Sequence, residues 1–331
     1  MSEINNKLTV SASPHVRSPK TTKGIMLDVI IALCPSMLAS FYLFGLDAAL
    51  VCLVCVASCV LAEFVSRKVM KRSNTIGDLS AVVTGLLLAF NLPAGIPLWM
   101  AAIGSIAAIV VIKQLFGGIG QNFINPALGA RIILLSSFPS AMATWVKPLS
   151  YKTEAITTAS PLASMYNDAG EFTTDNLPSL MDMFLGNRAG CLGEVCAAAL
   201  LIGGIYLIIR KVISPVIPLT FIGTVAVFMA VKSGFDMQFT AYQLLSGGLL
   251  LGAIFMATDY TTSPISFKGK IIFGIGCGLI ASLIRCFGNL PEGVSFAIVL
   301  MNILVPHIEA LTTPKPFGTE KKRKAKEDKA A

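Results

Sequence analysis

Residues 48–65 read AALVCLVCVASCVLAEFV, an almost unbroken apolar run, and a cluster of basic residues follows it at 67–72. A helix needs roughly 20 apolar residues to cross a bilayer. Lys and Arg collect on the cytoplasmic side of membrane proteins. This stretch therefore predicts a transmembrane helix that ends on the cytoplasmic side.

The same pattern of apolar runs and basic ends repeats along the chain. The 331 residues are 54% hydrophobic and only 13% charged, with a mean hydropathy of +0.75. Soluble domains carry about 25% charged residues, so this composition excludes a soluble globular protein. We predict an all-α polytopic membrane protein with about ten transmembrane helices. They are expected at residues 25–45, 48–65, 77–92, 97–116, 123–138, 190–209, 215–231, 241–257, 270–287 and 293–309.

The distribution of Lys and Arg sets the predicted orientation. Placing both termini in the cytoplasm makes every short cytoplasmic segment basic, whereas the long segment 139–189 has an acidic excess. Much of the net charge of +8 lies in the N-terminal arm and in the tail KKRKAKEDK. Topology accounts for these charges, so no nucleic-acid partner is predicted. The expected segments are a cytoplasmic arm (1–23), five helices (24–138), an extracytoplasmic loop (139–189), five helices (190–309) and a basic cytoplasmic tail (310–331).

Two apolar segments have similar sequences. TGLLLAFNLPAGIP (84–97) resembles SGGLLLGAIFMATDYTTSP (246–264), and the two predicted helices run in opposite directions. Five helices per half would give two halves of opposite topology, a plan common among transporters, whose ligand sites lie where the halves meet. Two inverted five-helix repeats are therefore a possible architecture.

The segment FGGIGQNFINPALGAR (116–131) is rich in glycine and amides. One interpretation is a tight cytoplasmic turn with Asn125 as the cap of the next helix. The other is a re-entrant or ligand-lining segment, in which Asn122 and Asn125 would face a ligand. Arg131 lies about half-way along the fifth predicted helix, where a phosphate or a carboxylate would be its natural partner.

Other polar groups near the membrane leave similar alternatives open. Asp259 and its neighbours in FMATDYTTSPISFKGK (255–270) indicate either an interfacial turn or an ion or flavin contact. Ionisable residues at membrane depth are functional candidates; those considered are Asp28, Asp47, Asp78, Arg131 and Arg285. The three aspartates lie near helix ends, where capping suffices.

The cysteines and histidines do not predict a metal centre. Cys52, Cys55 and Cys59 share one helical face, which favours small packing residues over an iron–sulfur ligand set. His15 and His307 lie outside or at the edge of the spans. The sequence also contains no phosphate-binding loop, dinucleotide fingerprint or catalytic triad. No metal ligand and no catalytic residue is predicted.

The stretch TEAITTASPLA (153–163) places several hydroxyl residues in the extracytoplasmic loop. Ser160 directly before Pro161 is a good helix start, with serine as N-cap and proline at the first helical position. A helix N-terminus also favours an adjacent phosphate group. The residues alone therefore allow a structural role and a phosphate attachment.

Four segments together resemble one known family. They are SPHVRSPKTTKGIMLDVIIALCP (13–35), GGIGQNFINPALGAR (117–131), ATDYTTSP (257–264) and EGVSFAIVLMNILVPHIE (292–309). The chain is similar to the RnfD/NqrB family, whose members belong to the Rnf electron-transport complex and to the sodium-pumping NADH:quinone reductase. This resemblance implies one component, not catalytic alone, of a ferredoxin:NAD⁺ oxidoreductase that moves Na⁺ or H⁺ across the bacterial cytoplasmic (inner) membrane. The implied partners are the other Rnf proteins, RnfA, RnfB, RnfC, RnfE and RnfG, and a flavin transferase.

The resemblance also implies a covalent FMN. In this family a flavin transferase joins FMN through its phosphate to a hydroxyl in the pattern Asp-x-x-(Ser/Thr)-Gly-Ala-(Thr/Ser). Here the pattern falls on residues 154–160, with Ser160 as the acceptor and Thr157 as the upstream hydroxyl. Glu154 replaces the aspartate and Thr158 replaces the glycine of this pattern. Ser160 occupies the acceptor position, where threonine is commoner in the family. A second flavin, riboflavin, is a possible ligand near Asn122, Asn125 and Arg131.

Two other classes of function remain open at this point. A channel or secondary transporter of the inverted-repeat type would carry no flavin. A purely structural membrane anchor for redox partners would not need Ser160.

Overall fold

The computed structural model describes residues 20–149, 157–158, 161–165, 177–288 and 292–314. Its helices are α1 (Thr22–Phe44), α2 (Leu46–Val69), α3 (Ser80–Phe90), α4 (Leu98–Gln114), α5 (Pro126–Ser137), α6 (Pro139–Met142), α7 (Pro161–Ser164), α8 (Leu180–Leu185), α9 (Ala197–Ile209), α10 (Val216–Lys232), α11 (Met237–Leu245), α12 (Leu249–Met256), α13 (Phe267–Phe287) and α14 (Val294–Thr312). Strands β1 (Trp145–Val146) and β2 (Thr157–Thr158) form one short antiparallel pair.

Side-chain caps start several of these helices. Thr21 accepts a hydrogen bond from the Gly24 N–H before α1, and Asp236 caps α11 in the same way. Ser266 accepts from the Gly269 N–H before α13. Such caps satisfy N–H groups that have no partner within the helix, and each typically contributes about 1 kcal/mol.

The helices confirm the predicted all-α polytopic membrane protein. Four of them, α1, α2, α13 and α14, are long and apolar enough to span a bilayer alone, and the pair α11–α12 forms a fifth span bent by 65°. Shorter apolar helices of 10–17 residues lie at the remaining predicted spans; they are α3, α4, α5, α9 and α10. Each predicted span therefore contains a helix.

The segments that connect successive helices lie at two opposite ends of the molecule. At one end, here called the terminal end, Lys20 Nζ reaches the Arg210 carbonyl at 3.4 Å, and the hydroxyls of Ser266 and Thr312 lie 2.7 Å apart. At the other, here called the loop end, the Leu149 N–H donates to the Leu43 carbonyl at 2.6 Å. This alternation matches a chain that crosses the membrane back and forth.

Two helices are interrupted inside the protein. α3 stops at Phe90, and the buried loop at 186–196 replaces its missing partners: the Gly193 N–H donates to the Phe90 carbonyl at 2.9 Å, and the Leu192 N–H to the Leu92 carbonyl at 3.0 Å. Irregular backbone at membrane depth is tolerated where it is buried in protein. The predicted start of the sixth span at residue 190 is therefore wrong, because α9 begins only at Ala197.

The second interruption divides the predicted span 241–257. α11 and α12 are separated by residues 246–248, where Gly247 adopts a φ of 66° that favours glycine. α12 then ends at Met256, whose sulfur accepts a 3.5 Å hydrogen bond from the Asn91 amide at the end of α3. The C-terminal ends of α3 and α12, which lie in the two similar segments, thus meet inside the protein. The inverted repeat stays a prediction.

Gly203 provides a test of the packing between α1 and α9. A Cβ atom there would clash with the Ala32 carbonyl oxygen, whereas one at Gly223 would meet nothing within 4 Å. Gly203→Ala should lower the free energy of unfolding by about 1–3 kcal/mol through overpacking. Gly223→Ala is the matched control and should be neutral or slightly stabilising. Thermal unfolding of the purified complex measures both; equal midpoints for the two variants would contradict the close approach.

Candidate functional site

The hydroxyl cluster is described on either side of Ser160. Ser160 and Glu154 lie outside the described residues. The backbone of Thr157–Thr158 pairs with Trp145–Val146 in the β1–β2 ladder. α7 begins at Pro161, directly after Ser160, as predicted.

Both flanks of Ser160 are anchored at the loop end. After it, Leu162 and Met165 are buried in one cluster with Met183 and Tyr242 of α8 and α11. Before it, Trp145, which pairs with Thr158, is buried with Ala189 and Cys191. The described chain therefore attaches the Ser160 region to the interrupted helix α11–α12 and to the loop at 186–196.

A buried polar cluster surrounds Arg131 in α5; we call it the Arg131 cluster. The guanidinium forms an ion pair with Glu292 at the start of α14. It also donates to Asn91 Oδ1 at 2.9 Å and to Ser295 Oγ at 3.2 Å, and its Nη2 lies 3.6 Å from Cys191 Sγ. A carboxylate is one of the two partners that the sequence predicts for Arg131.

The loop at 186–196 adds a second carboxylate to the Arg131 cluster. Glu194 Oε1 accepts from the Cys191 N–H at 3.1 Å, while its Oε2 is buried without a hydrogen-bond partner. Ligand atoms of Cys191, Glu194 and Glu292 all lie within 4.8 Å of one another. Arg188 is buried nearby but donates to the backbone carbonyls of Glu194 and Val195.

A cavity of about 420 Å³ opens toward the terminal end. Its walls include Asn122, Asn125, Lys113, Thr258 and Asp259, and its volume falls in the range of small-molecule sites, roughly 300–1,000 Å³. The structure thus places Asn122 and Asn125 on one cavity. It places Arg131 elsewhere, in the Arg131 cluster.

Asn125 has the capping role predicted for it. Its Oδ1 accepts from the Ala127 and Leu128 N–H groups at the start of α5, and its amide donates to the Met256 carbonyl at the end of α12. Gly117, Gly118 and Gly120 just before it have positive φ angles. The capped turn also lines the cavity, and the role of Asn122 and Asn125 in facing a ligand stays a prediction.

A buried ion pair forms part of the same wall. Lys113 Nζ donates to Glu63 Oε2 at 2.9 Å and to Ser80 Oγ at 2.7 Å. Glu63 Oε1 accepts from Thr75 and Gln114, and Lys113 is only 2% exposed. Lys113 lies in the π-helical part of α4 (107–114), and α12 ends in a second π-helical turn (252–256). π-helical turns frequently occur at functional sites.

Asp259 follows the π-helical turn of α12. Burial raises the pKa of its carboxyl, whereas hydrogen bonds from the Thr261 backbone and the Thr262 side chain lower it. The positive charge of Lys113 also lowers it, though less. The carboxyl borders the cavity, and its burial favours the protonated form. Its ion or flavin contact stays a prediction.

Several residues of these sites were not expected from the sequence. Glu63 lies within the second predicted span, and a lone carboxylate in an apolar run was a signal that could have identified it. The sequence analysis treats Lys113 as one of the basic residues that set the membrane orientation, yet its side chain is buried. The interruption of α3 is not evident from the sequence. Without it, the roles of Asn91, Arg188 and Glu194 in the buried cluster could not be predicted. Cys52, Cys55 and Cys59 are buried free thiols of α2.

The fold and these sites define a multi-pass helical membrane protein with two interrupted helices that meet between a cavity and a buried ionic cluster. Residues 9–318 match the sequence model of the NQR2, RnfD, RnfE family. The chain belongs to this family.

Individual relatives are similar over nearly their whole length. The subunit designated D of the Na⁺-translocating ferredoxin:NAD⁺ oxidoreductase complex of Acetobacterium woodii is 49% identical, over 98% of this chain and 99% of the relative. Its counterpart in the proton-translocating ferredoxin:NAD⁺ oxidoreductase complex of Clostridium ljungdahlii is 41% identical, over 96% and 98%. The counterpart in the ion-translocating oxidoreductase complex of Stutzerimonas stutzeri is also 41% identical, over 89% and 91%.

Proposed function

We propose that this chain is RnfD, a membrane component of an ion-translocating ferredoxin:NAD⁺ oxidoreductase, the Rnf complex. The observation that carries this proposal is the end-to-end similarity to relatives that are named as components of such complexes. The protein works with RnfA, RnfB, RnfC, RnfE and RnfG, and the complex moves Na⁺ or H⁺. No described domain is large enough to bind ferredoxin or NAD⁺, so those substrates bind to other subunits.

Ser160 is the proposed attachment point of a covalent FMN. The register of residues 154–160 on the family pattern supports it. So does the anchoring of both flanks, since Trp145 and Leu162 are buried at the loop end. FMN supplies one- and two-electron chemistry when bound. The protein contributes the hydroxyl for the phosphoester and a fixed base for the loop, which keeps the flavin at the membrane.

The cavity at the terminal end is the proposed site of a second flavin, riboflavin. Its volume suits a molecule of that size. Asn122 and Asn125 border it with amide groups, and Lys113 and Asp259 add an ammonium group and a carboxyl group to its wall. Those groups can bind and orient a flat polar ring system.

The proposed topology follows from the distribution of charge. Both termini lie in the cytoplasm, and the segment with Ser160 lies outside the bacterial cytoplasmic membrane. The terminal end carries Arg72, Arg210, Lys211 and Lys268, in agreement with the preference of basic residues for the cytoplasmic side.

A peptide-level mass spectrum of the native protein tests the flavin assignment. We expect the peptide that contains residues 153–165 to be heavier by FMN minus one water, and the denatured chain to fluoresce in a gel. The channel or transporter alternative, which the interrupted helices also suit, predicts an unmodified peptide and a dark band. A dark band from a complex purified with its flavin transferase would overturn the covalent flavin.

A further inference from the structure

A second cavity lies at the terminal end, beside the cavity proposed for riboflavin. It has a volume of about 390 Å³ and lies between the α9–α10 connection, the segment that follows α12, and the start of α13. Val212 and Tyr260 line both cavities. The Tyr260 hydroxyl donates to the Val212 carbonyl, so the two cavities share a wall. The proposed function does not use this second cavity.

The charged side chains that line this cavity are positive, and we call it the basic cavity. Lys211 from the α9–α10 connection and Lys270 from α13 lie on its wall, and no Asp or Glu is among its described lining residues. Within the described chain, neither ammonium group donates a hydrogen bond or forms an ion pair. Two like charges that border one cavity favour a negatively charged ligand between them.

Nearby carboxylates do not neutralise these lysines. Those on the elements around the basic cavity each have a partner outside it: Asp28 with Arg210, Asp259 with the Thr262 hydroxyl, and Glu309 with the Ile265 N–H. Asp259 lines the other cavity. A further ammonium group, that of Lys20, lies within hydrogen-bond distance of the Lys211 carbonyl. The basic cavity therefore lies in a region of excess positive charge.

Neutral donors complete the lining of the basic cavity. The hydroxyls of Ser214 and Ser263 lie on its wall and have no hydrogen-bond partner in the part of the chain that the structure describes. α10 begins at the same place, after Pro215, and no side chain caps it. Its first N–H groups therefore add donors and the positive end of the helix dipole. Ammonium, hydroxyl and helix N–H groups together suit the oxygens of a phosphate group.

We propose that Lys211 and Lys270 bind one phosphate group in the basic cavity, with the hydroxyls of Ser214 and Ser263 as further donors. An anionic phospholipid and free phosphate both supply this group. Ile208 and Ile217 also line the cavity, which suits a phosphate carried by a lipid. Basic pockets between membrane helices on the cytoplasmic side bind the headgroups of anionic lipids.

The first test uses the unaltered complex, purified and delipidated in detergent. An amine-reactive reagent acetylates exposed lysines, and peptide mass spectrometry measures the rate at each one. We expect phosphatidylglycerol, compared with diacylglycerol, to slow the acetylation of Lys211 and Lys270 by roughly threefold or more, because a bound ligand blocks the amine in proportion to its occupancy. Lys268 is exposed and does not line the cavity, so its rate should not change.

A parallel sample with inorganic phosphate, at constant ionic strength, distinguishes the two sources. Protection by phosphatidylglycerol alone assigns the phosphate group to a lipid, whereas protection by inorganic phosphate assigns it to the free ion. Unchanged rates with both probes would overturn the site. Protection of Lys268 to the same extent would also overturn it, because it would show general shielding of the surface.

The second test counts the bound probe. Equilibrium binding of the radiolabelled probe that protects should fall by one molecule per complex in the double variant Lys211→Gln with Lys270→Gln. The control is Lys68→Gln with Lys268→Gln, which removes two exposed charges at the same end but outside the basic cavity. Equal binding by the two double variants would contradict the proposal. Thermal midpoints of the same samples verify folding, and the acetylation test requires no variant.

Discussion

Replacing Ser160 with alanine is expected to remove the covalent flavin and to reduce ferredoxin:NAD⁺ electron transfer by the complex to background. A phosphoester requires the hydroxyl oxygen, which alanine lacks. The fold should persist, because the flanking Leu162 and Trp145 remain buried, and because losing the N-cap that the sequence predicts at Ser160 would cost only about 1 kcal/mol. Peptide mass, in-gel fluorescence and electron-transfer rate are measured on the same preparation.

Two matched variants separate attachment from folding. Ser160→Thr, the commoner acceptor of the family pattern, should keep the mass increment. Thr153→Ala removes a nearby hydroxyl outside the pattern and should also keep it. If Ser160→Ala kept the increment, the attachment point would have to be another hydroxyl, with Thr157 or Thr158 as the first to examine.

Replacing Lys113 with methionine is expected to lower the free energy of unfolding by about 3–5 kcal/mol, because it leaves the buried Glu63 carboxylate without its counter-charge. Lys113 and Glu63 are 2% and 1% exposed. Glu63 would keep its bonds from Thr75 and Gln114, which stabilise a carboxylate less than a cation does. Thermal unfolding of the purified complex measures the loss.

Two comparisons test the assigned cause. Arg210→Met breaks the pair with Asp28, in which the arginine side chain is 57% exposed, and should destabilise the protein far less than Lys113→Met, because solvent screens an exposed ion pair. The double variant Lys113→Met with Glu63→Met removes both buried charges and should recover most of the loss. A double variant as unstable as Lys113→Met would show that packing, and not the buried charge, causes the effect.

The sequence was sufficient for the class of protein and for most helix positions. Long apolar runs with basic ends can only be stable as membrane helices, since every backbone group must be satisfied inside the bilayer. Local signals were equally direct. Asn125 before Pro126 predicted the start of α5, and Ser160 before Pro161 predicted the start of α7; both helices begin at those prolines.

Tertiary structure decided where the helices break and which charges meet. Asn91 and Pro93 are local signals for the end of α3, but the loop at 186–196 that supplies the missing hydrogen bonds comes from about 100 residues away along the chain. The partners Arg131 and Glu292, and Lys113 and Glu63, are likewise distant in sequence. A buried charge is stable only beside its counter-charge, and that proximity is a property of helix packing, which hydrophobic periodicity does not encode.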